Sequence, residues 1–199
     1  MSLPFVVRPG LTAGLIVAVA AVTSVKAVSA QPVMDEKSAA ELRTQFLADL
    51  DTVHVKIMAL AEVIPEGKYT WSPTPETRTI ANALMHVATE WYMYVPLVMG
   101  GKPPADFGAP RETIPKLEKI ASKAEVMDHL KKSWAHAKQQ VESADLAALL
   151  PRRQMFGQST TFPQLALLMS GDLHEHLGQL ITYARSVGEV PPWSRKPGS

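Results

Sequence analysis

Four long segments in which apolar residues recur every three or four positions constrain this chain most strongly. Such spacing places the apolar residues on one stripe of a helix. The segments run over about residues 38–64, 75–99, 123–143 and 162–187. Sustained strand-like alternation is not seen in the sequence. We therefore predict an all-α fold, an up-down-type four-helix bundle.

Proline- and glycine-rich stretches separate these segments. Prolines disfavour helix within residues 69–75, and residues 100–110 predict an irregular loop that Pro115 extends. Pro96 is expected to kink the second helix or end it early. Residues 151–161 predict a connector, either a small hairpin or an open loop, and Gly188 supplies a stop for the last helix.

The first thirty residues have the order of a secretory signal peptide. Arg8 precedes an apolar run of 12 residues from Leu11 to Val22, and small residues follow up to Ala30. The run is shorter than the roughly 20 residues of a spanning helix. We expect cleavage after Ala30, with Ala27 as the competing position, a periplasmic or secreted protein, and no stable membrane insertion after cleavage. An uncleaved N-terminal anchor is the alternative.

Composition excludes several kinds of function. Residues 1–30 hold two basic residues and no acidic ones, so the remainder carries 18 basic against 19 acidic residues, a net charge of −1. Without a long basic stripe, no nucleic-acid partner is expected. The chain has no cysteine, which excludes disulfides, thiolate metal sites and a cysteine nucleophile. The sequence lacks a glycine-rich phosphate loop, HExxH and GxSxG.

Two polar residues interrupt the apolar stripe of the last segment. Counting 100° per residue from Leu165, Asp172 and His176 fall within about 60° of it, which predicts that both lie at the centre of the buried face. They lie four positions apart, so their side chains are neighbours. A buried carboxylate needs compensation by a metal ion, a histidinium or a hydrogen-bond network. A carboxylate and an imidazole at this spacing can share one divalent ion.

The second segment carries another such pair, His86 and Glu90, beside its main stripe. Two interpretations stay open: metal ligation, with Glu90 as a fourth ligand or a general base, or a structural histidine with a surface glutamate. His174 falls on the face opposite the stripe and is expected in solvent. The remaining histidines are expected at boundary or peripheral positions: His54, His129 and His136.

Two segments resemble the DinB/YfiT-like family of metal-binding four-helix bundles. One is Tyr69 to His86 (YTWSPTPETRTIANALMH), and the other is Asp172 to Arg185 (DLHEHLGQLITYAR), which Val190 to Trp193 follows closely. With the helix order, the resemblance covers about residues 36–195, which we predict to be one DinB-like domain.

The resemblance implies a metal site of three histidines, one on the second helix and two on the last. His86 matches the first and His176 the last, whereas the middle position falls on Asp172. Aspartate can bind a hard divalent ion, so the implied ligands are His86, Asp172 and His176 for Zn, Ni, Mn or Fe. A degenerate site is the alternative, and His174 could substitute only if the helix rotated or bulged.

Some family members resemble thiol-dependent transferases. Together with the predicted signal peptide, the resemblance implies an exported metal-binding protein. One interpretation is a metal-dependent transferase or hydrolase acting on a small molecule, with Glu90 as the catalytic residue. Another is a metal-binding or ligand-binding protein without turnover. A structural or interaction bundle is the third interpretation, in which Asp172, His176 and His86 form a buried ion-pair network. A homodimer is compatible with that interpretation.

Overall fold

Seven α-helices and one short hairpin make up most of residues 34–196, the part of the chain that the computed structural model describes. The helices are α1 (Glu36–Val63), α2 (Ile80–Thr89), α3 (Val95–Val98), α4 (Pro110–Leu117), α5 (Lys123–Glu142), α6 (Leu146–Leu149) and α7 (Phe162–Ser186). The strands β1 (Arg153–Met155) and β2 (Gln158–Thr160) pair antiparallel. The all-α prediction is confirmed. The predicted signal peptide, residues 1–30, lies outside the described residues.

The long helices begin at side-chain caps. The Asp35 carboxylate accepts a hydrogen bond from the Ser38 amide at the start of α1. At the start of α7, the Thr161 side chain accepts from the Gln164 amide, and the Gln164 side chain accepts in return from the Thr161 amide. This reciprocal arrangement is a capping box, and it fixes where α7 leaves the hairpin.

One apolar core joins the four predicted segments. Helix α1 packs against α5 and α7, and α2 packs against the same two helices. The stripe predicted for α1 is buried at Phe46, Leu50, Val53, Ile57, Leu60 and Ile64, whereas Leu42 is partly buried. The fully buried Trp91 side chain belongs to this core. Within residues 34–196, no helix has the length and apolarity needed to cross a membrane.

The second helix begins at Ile80, later than the predicted start near residue 75. Thr79 caps it by accepting from the Asn82 amide. The amides of Ile80 and Ala81 donate to the carbonyls of Trp71 and Tyr69 in the preceding loop. The first amides of α2 are therefore satisfied by the loop, which removes any need for another helical turn before Thr79.

Pro96 neither ends nor simply kinks the second segment. A π-helical turn, Glu90–Tyr94, joins α2 to α3, and the Val95 amide donates to the Glu90 carbonyl five residues back. The helical path then continues through Pro96 to Val98. Because proline cannot donate to a carbonyl in the preceding turn, a locally wider helix accommodates it.

The predicted irregular break before α5 contains a helix instead. Helix α4 begins at Pro110, and proline is well suited to a first helical position. Pro115 lies inside it and costs one backbone hydrogen bond, which a helix of eight residues tolerates here. Helix α4 matters for the site because it ends beside α2 and so brings Glu118 into contact with His86.

Candidate metal centre

Two histidines and one glutamate converge where α2 meets α7. His86 lies on α2, Glu90 begins the π-helical turn, and His176 lies on α7. Glu90 Oε1 is 3.5 Å from His86 Nε2 and 3.3 Å from His176 Nε2. One ligand atom from each of the three residues lies within 4.8 Å of the other two. The spacing of four residues explains the His86–Glu90 contact, whereas only tertiary packing brings in His176.

The other nitrogen of each imidazole is held by a neighbouring side chain. His86 Nδ1 is 2.6 Å from Glu118 Oε1 and 3.3 Å from an Arg78 guanidinium nitrogen. A carboxylate only accepts, so the shorter contact places the proton of His86 on Nδ1 and leaves Nε2 as a free lone pair. His176 Nδ1 lies 3.4 Å from Gln179 Oε1, which favours the same tautomer. Both Nε2 atoms face Glu90: that of His86 presents a lone pair, and that of His176 presents either a lone pair to a cation or a proton shared with Glu90.

Glu90 is a buried carboxylate with an incomplete set of partners. Its side chain is 2% exposed, and among the described residues Oε2 has no hydrogen-bond donor. Burial raises the pKa of Glu90 to about 7, opposed by its hydrogen bond with His176 and reinforced by Asp172. The alternative of a surface glutamate is therefore wrong. A cation between Glu90 and the two Nε2 atoms would satisfy all three groups.

The two histidines respond differently to this environment. The hydrogen bond with Glu90 raises the pKa of His176 against the opposing effect of burial. Burial lowers the pKa of His86, although Glu118 partly opposes it. His86 is thus kept neutral, the form that binds a metal, while His176 shares a proton with Glu90 when no cation is present.

Asp172 lies at the rim of this group. Its Oδ1 is 3.9 Å from His176 Nε2, and its side chain is 44% exposed. The expectation that Asp172 lies at the centre of the buried face is wrong, because that face follows Leu173 and Leu177. One residue before Leu173 is about 100° around the helix. The His176 side chain is 13% exposed, so its burial is between that of Leu177 and that of Asp172. Ligation by Asp172 stays a prediction.

The other histidines lie away from the group. His174 is exposed, and its Nε2 is 2.8 Å from Asp49 Oδ1. His54 packs against Trp91 and Trp134. Two further contacts involve α5: His129 Nδ1 lies 3.3 Å from the Tyr92 hydroxyl and His136 Nε2 lies 2.9 Å from the Lys102 carbonyl oxygen.

Sequence reasoning missed two parts of the site. Glu118 is 32 residues from His86, and no local pattern connects them. The second part is a cleft of about 280 Å³ that opens onto the candidate ligands. It is lined by His86, Glu90, Tyr94, Val98, Phe156, Leu165, Leu168, Met169 and Asp172. The hairpin contributes Phe156, so residues from three separate parts of the chain form the walls.

Comparison with models of protein families gives a match. A family model described as the DinB superfamily matches residues 49–180. The matched span begins in α1, ends in α7, and contains His86, Glu90, Asp172 and His176. A comparison with curated proteins gave no match.

Proposed function

The chain belongs to the DinB superfamily, and from that premise we propose that it binds a divalent metal ion between α2 and α7 of an exported four-helix bundle. The bundle would comprise α1, α2 continued through α3, α5 and α7. The observation that supports the metal site best is Glu90, a buried carboxylate placed between two imidazole Nε2 atoms.

His86, Glu90 and His176 would hold the ion, and Asp172 would stand at its rim, with Oδ1 3.9 Å from His176 Nε2. Two imidazoles and a carboxylate suit Zn, Ni, Mn or Fe. Glu118 and Gln179 would orient the two rings through Nδ1, as partners of metal-binding histidines commonly do.

We extend the proposal to a transferase or hydrolase reaction on a small molecule. Three protein ligands leave a coordination position open, which is typical of catalytic sites. When bound, the ion would supply Lewis acidity and lower the pKa of a bound water. Glu90, predicted as the catalytic residue, serves here as a ligand. Asp172 lines the cleft and is partly exposed, so it is the carboxylate placed to accept a proton from a substrate or water.

A structural helical bundle with a degenerate metal site is the second candidate function. The observation that favours it is the 3.3 Å contact between Glu90 and His176, because the hydrogen bond with Glu90 raises the pKa of His176 and so favours an ion pair between the two side chains. In that case the polar cluster would fix the packing of α2 against α7.

Metal titration separates the two candidates. Purified mature protein would be stripped with EDTA and titrated with Zn²⁺, Ni²⁺, Mn²⁺ and Fe²⁺ by calorimetry, and its melting temperature recorded with and without each ion. The metal proposal expects micromolar or tighter binding and a higher melting temperature with metal. His176→Ala should lose binding, whereas His174→Ala, on the exposed face of the same helix, should keep it. Absence of binding by the wild type would contradict the proposal and favour the second candidate.

Export is supported by the sequence order of residues 1–30. Expression of the full chain with its own leader, followed by fractionation and N-terminal sequencing, tests it. A mature protein that starts at Gln31 outside the cytoplasm is expected, and an intact N-terminus in the cytoplasmic fraction would contradict it.

A further inference from the structure

The cleft beside the candidate metal centre is lined mostly by apolar and aromatic side chains. Val98, Leu165 and Met169 are buried and form its inner part, and Tyr94 lies beside them. Its volume of about 280 Å³ is near the lower end of the roughly 300–1,000 Å³ found for ligand pockets. A compact molecule fits such a space, whereas a nucleotide-sized one would remain largely in solvent.

Two large apolar side chains stand exposed at the mouth of this cleft. Phe156 is 60% exposed and Leu168 is 58% exposed. More than half of each side chain remains in contact with solvent, so contact with a ligand would bury additional apolar surface. Together with the inner wall they would surround the body of a bound molecule.

The hairpin holds Phe156 in place at some conformational cost. Phe156 has a φ of 53° and Gly157 a φ of 75°, so the two-residue turn between β1 and β2 is left-handed at both positions. A bulky residue rarely adopts such a φ. The Phe156 ring lies 5.9 Å from the Tyr94 ring, and Arg153 donates a 2.6 Å hydrogen bond to the Val98 carbonyl. The hairpin is therefore attached to the end of α3 with Phe156 over the cleft.

The charges around the cleft discriminate against anions. Its only charged lining groups among the described residues are the carboxylates Glu90 and Asp172, together with the imidazole of His86; no lysine or arginine lines it. A bound divalent ion would be largely balanced by the two carboxylates. A ligand with several negative charges would find no cationic side chain there and would face Asp172 at the rim.

We propose that this cleft binds a compact molecule with an uncharged apolar body and a single polar head, with the head at the metal ion and the body between Phe156 and Leu168. The proposal rests on the metal site proposed above and specifies the class of substrate that the site accepts. Phe156 and Leu168 are specificity-determining residues, and the inner wall sets the size limit.

Three hydroxamic acids with the same metal-binding head provide the test on metal-loaded mature protein. Benzohydroxamic acid carries an apolar ring, acetohydroxamic acid replaces the ring with a methyl group, and 4-carboxybenzohydroxamic acid adds a negative charge to the ring. Calorimetry should show benzohydroxamic acid binding about tenfold or more tightly than acetohydroxamic acid, because the ring buries additional apolar surface. The carboxylated ring should bind more weakly than the plain ring. Equal affinities for all three would overturn the proposal.

Adjacent leucines provide a matched pair of variants. Leu167 is 76% exposed and does not line this cleft, whereas Leu168 does. Leu168→Ala should reduce the preference for the ring about threefold or more, and Leu167→Ala should leave it unchanged. Leu168→Lys should raise affinity for the carboxylated ring, and Leu167→Lys should not. Equal effects at the two positions would overturn the assignment of Leu168.

Two further measurements keep this inference separate from the metal site. If the protein binds no metal, the proposed function fails, and the cleft is tested in metal-free protein by titrating benzyl alcohol against the Met169 methyl resonance. A shift in wild type and Leu167→Ala that is smaller in Leu168→Ala supports an apolar-body site, and no shift overturns it. A dimer in sedimentation that both alanine variants abolish would assign the exposed leucines to a contact between copies and overturn the proposal.

Discussion

Two partly buried imidazoles of this protein occupy opposite environments. His176 lies beside the Glu90 carboxylate, which raises its pKa, whereas His54 packs between two tryptophans and burial lowers its pKa to about 4. The His54 ring stacks on Trp134 at 4.5 Å and meets Trp91 edge-on at 5.2 Å. A partly buried histidine is therefore not by itself a sign of a binding site.

The two environments also differ in which atom lacks a partner. Among the described residues, Glu90 Oε2 and His54 Nδ1 are both buried without a hydrogen bond. The unpaired carboxylate oxygen belongs to a group that faces two imidazole Nε2 atoms, so a cation can complete it. The unpaired imidazole nitrogen is surrounded by aromatic rings, so it remains neutral and serves as packing. The difference lies in the neighbours rather than in the histidines.

Replacement of Glu90 should have the largest effect. Glu90→Gln removes the anionic ligand, and we expect metal affinity in calorimetry to fall by about 100-fold or more, above the roughly 10- to 100-fold typical of losing a group that only orients a ligand. The metal-free variant should be at least as stable as the wild type at pH 8, because burial disfavours the Glu90 charge. Glu175→Gln, at an exposed position of α7, is the control. Unchanged affinity in Glu90→Gln would remove Glu90 from the site.

His54 should make the protein less stable in acid. Its pKa is about 4 in the folded state and about 6.5 when unfolded. The unfolded chain therefore binds the proton more readily than the folded protein does. The contribution of neutral His54 to the free energy of unfolding is complete above pH 6.5 and is lost as the pH falls toward 4. Between pH 7.5 and 4.5 this loss amounts to about 2 kcal/mol.

Urea unfolding of wild type and His54→Phe at several pH values measures that contribution. The variant keeps an aromatic ring between the tryptophans but cannot titrate, so its stability should fall by about 2 kcal/mol less than that of the wild type. Because His86 and His129 also have lowered pKa values from burial and are present in both proteins, the difference isolates His54. If the free energies of unfolding of the two proteins changed with pH in parallel, protonation of His54 would not destabilise the folded state, and the prediction would be wrong.

Glu118 should have an intermediate effect on metal binding. Glu118→Ala leaves His86 Nδ1 without its 2.6 Å carboxylate partner, and we expect metal affinity to drop by about tenfold. Glu112→Ala, on the exposed part of α4, should change nothing. Calorimetric titration of the two variants in parallel makes the comparison, and identical affinities would show that Glu118 does not orient His86.

Gln179 should have the smallest effect. Its contact with His176 Nδ1 is 3.4 Å long and involves a neutral amide, whose nitrogen donates to the Tyr183 hydroxyl at 3.0 Å. Gln179→Ala should weaken metal binding about threefold, below the effect of losing a charged partner. Thr182→Ala, on the exposed side of α7, is the control in the same titration. A loss larger than that of Glu118→Ala would reverse the ranking of the two orienting groups.

Local periodicity is sufficient to predict the long helices and one half of the site. The stripe of α1 and the pair formed by His86 and Glu90 both follow from helical spacing. The burial of Glu90 is not predictable in this way, because it depends on α7 packing over α2. The predicted burial of Asp172 was wrong, and the neighbouring Leu173 is buried instead. Apolar spacing in the sequence shows that a helix has a buried face, but it does not show which of two adjacent residues the partner helix covers.

Contacts between distant segments account for the rest. Glu118 reaches His86 only because residues 110–117 form a helix despite Pro115 in its interior. Phe156 reaches the cleft only because Arg153 attaches the hairpin to α3. Neither contact has a signature in the local sequence, because each depends on where a loop returns to the helices.

The π-helical turn divides one continuous helical path into two parts that can vary separately. A π turn is equivalent to a single residue inserted into an α-helix, and it changes the angular position of everything beyond it. His86 precedes the turn, whereas Tyr94 and Val98, which line the cleft, stand at its end and beyond. Substitutions in the part that begins at Tyr94 can therefore change which molecules the cleft admits, while the His86 imidazole keeps its position.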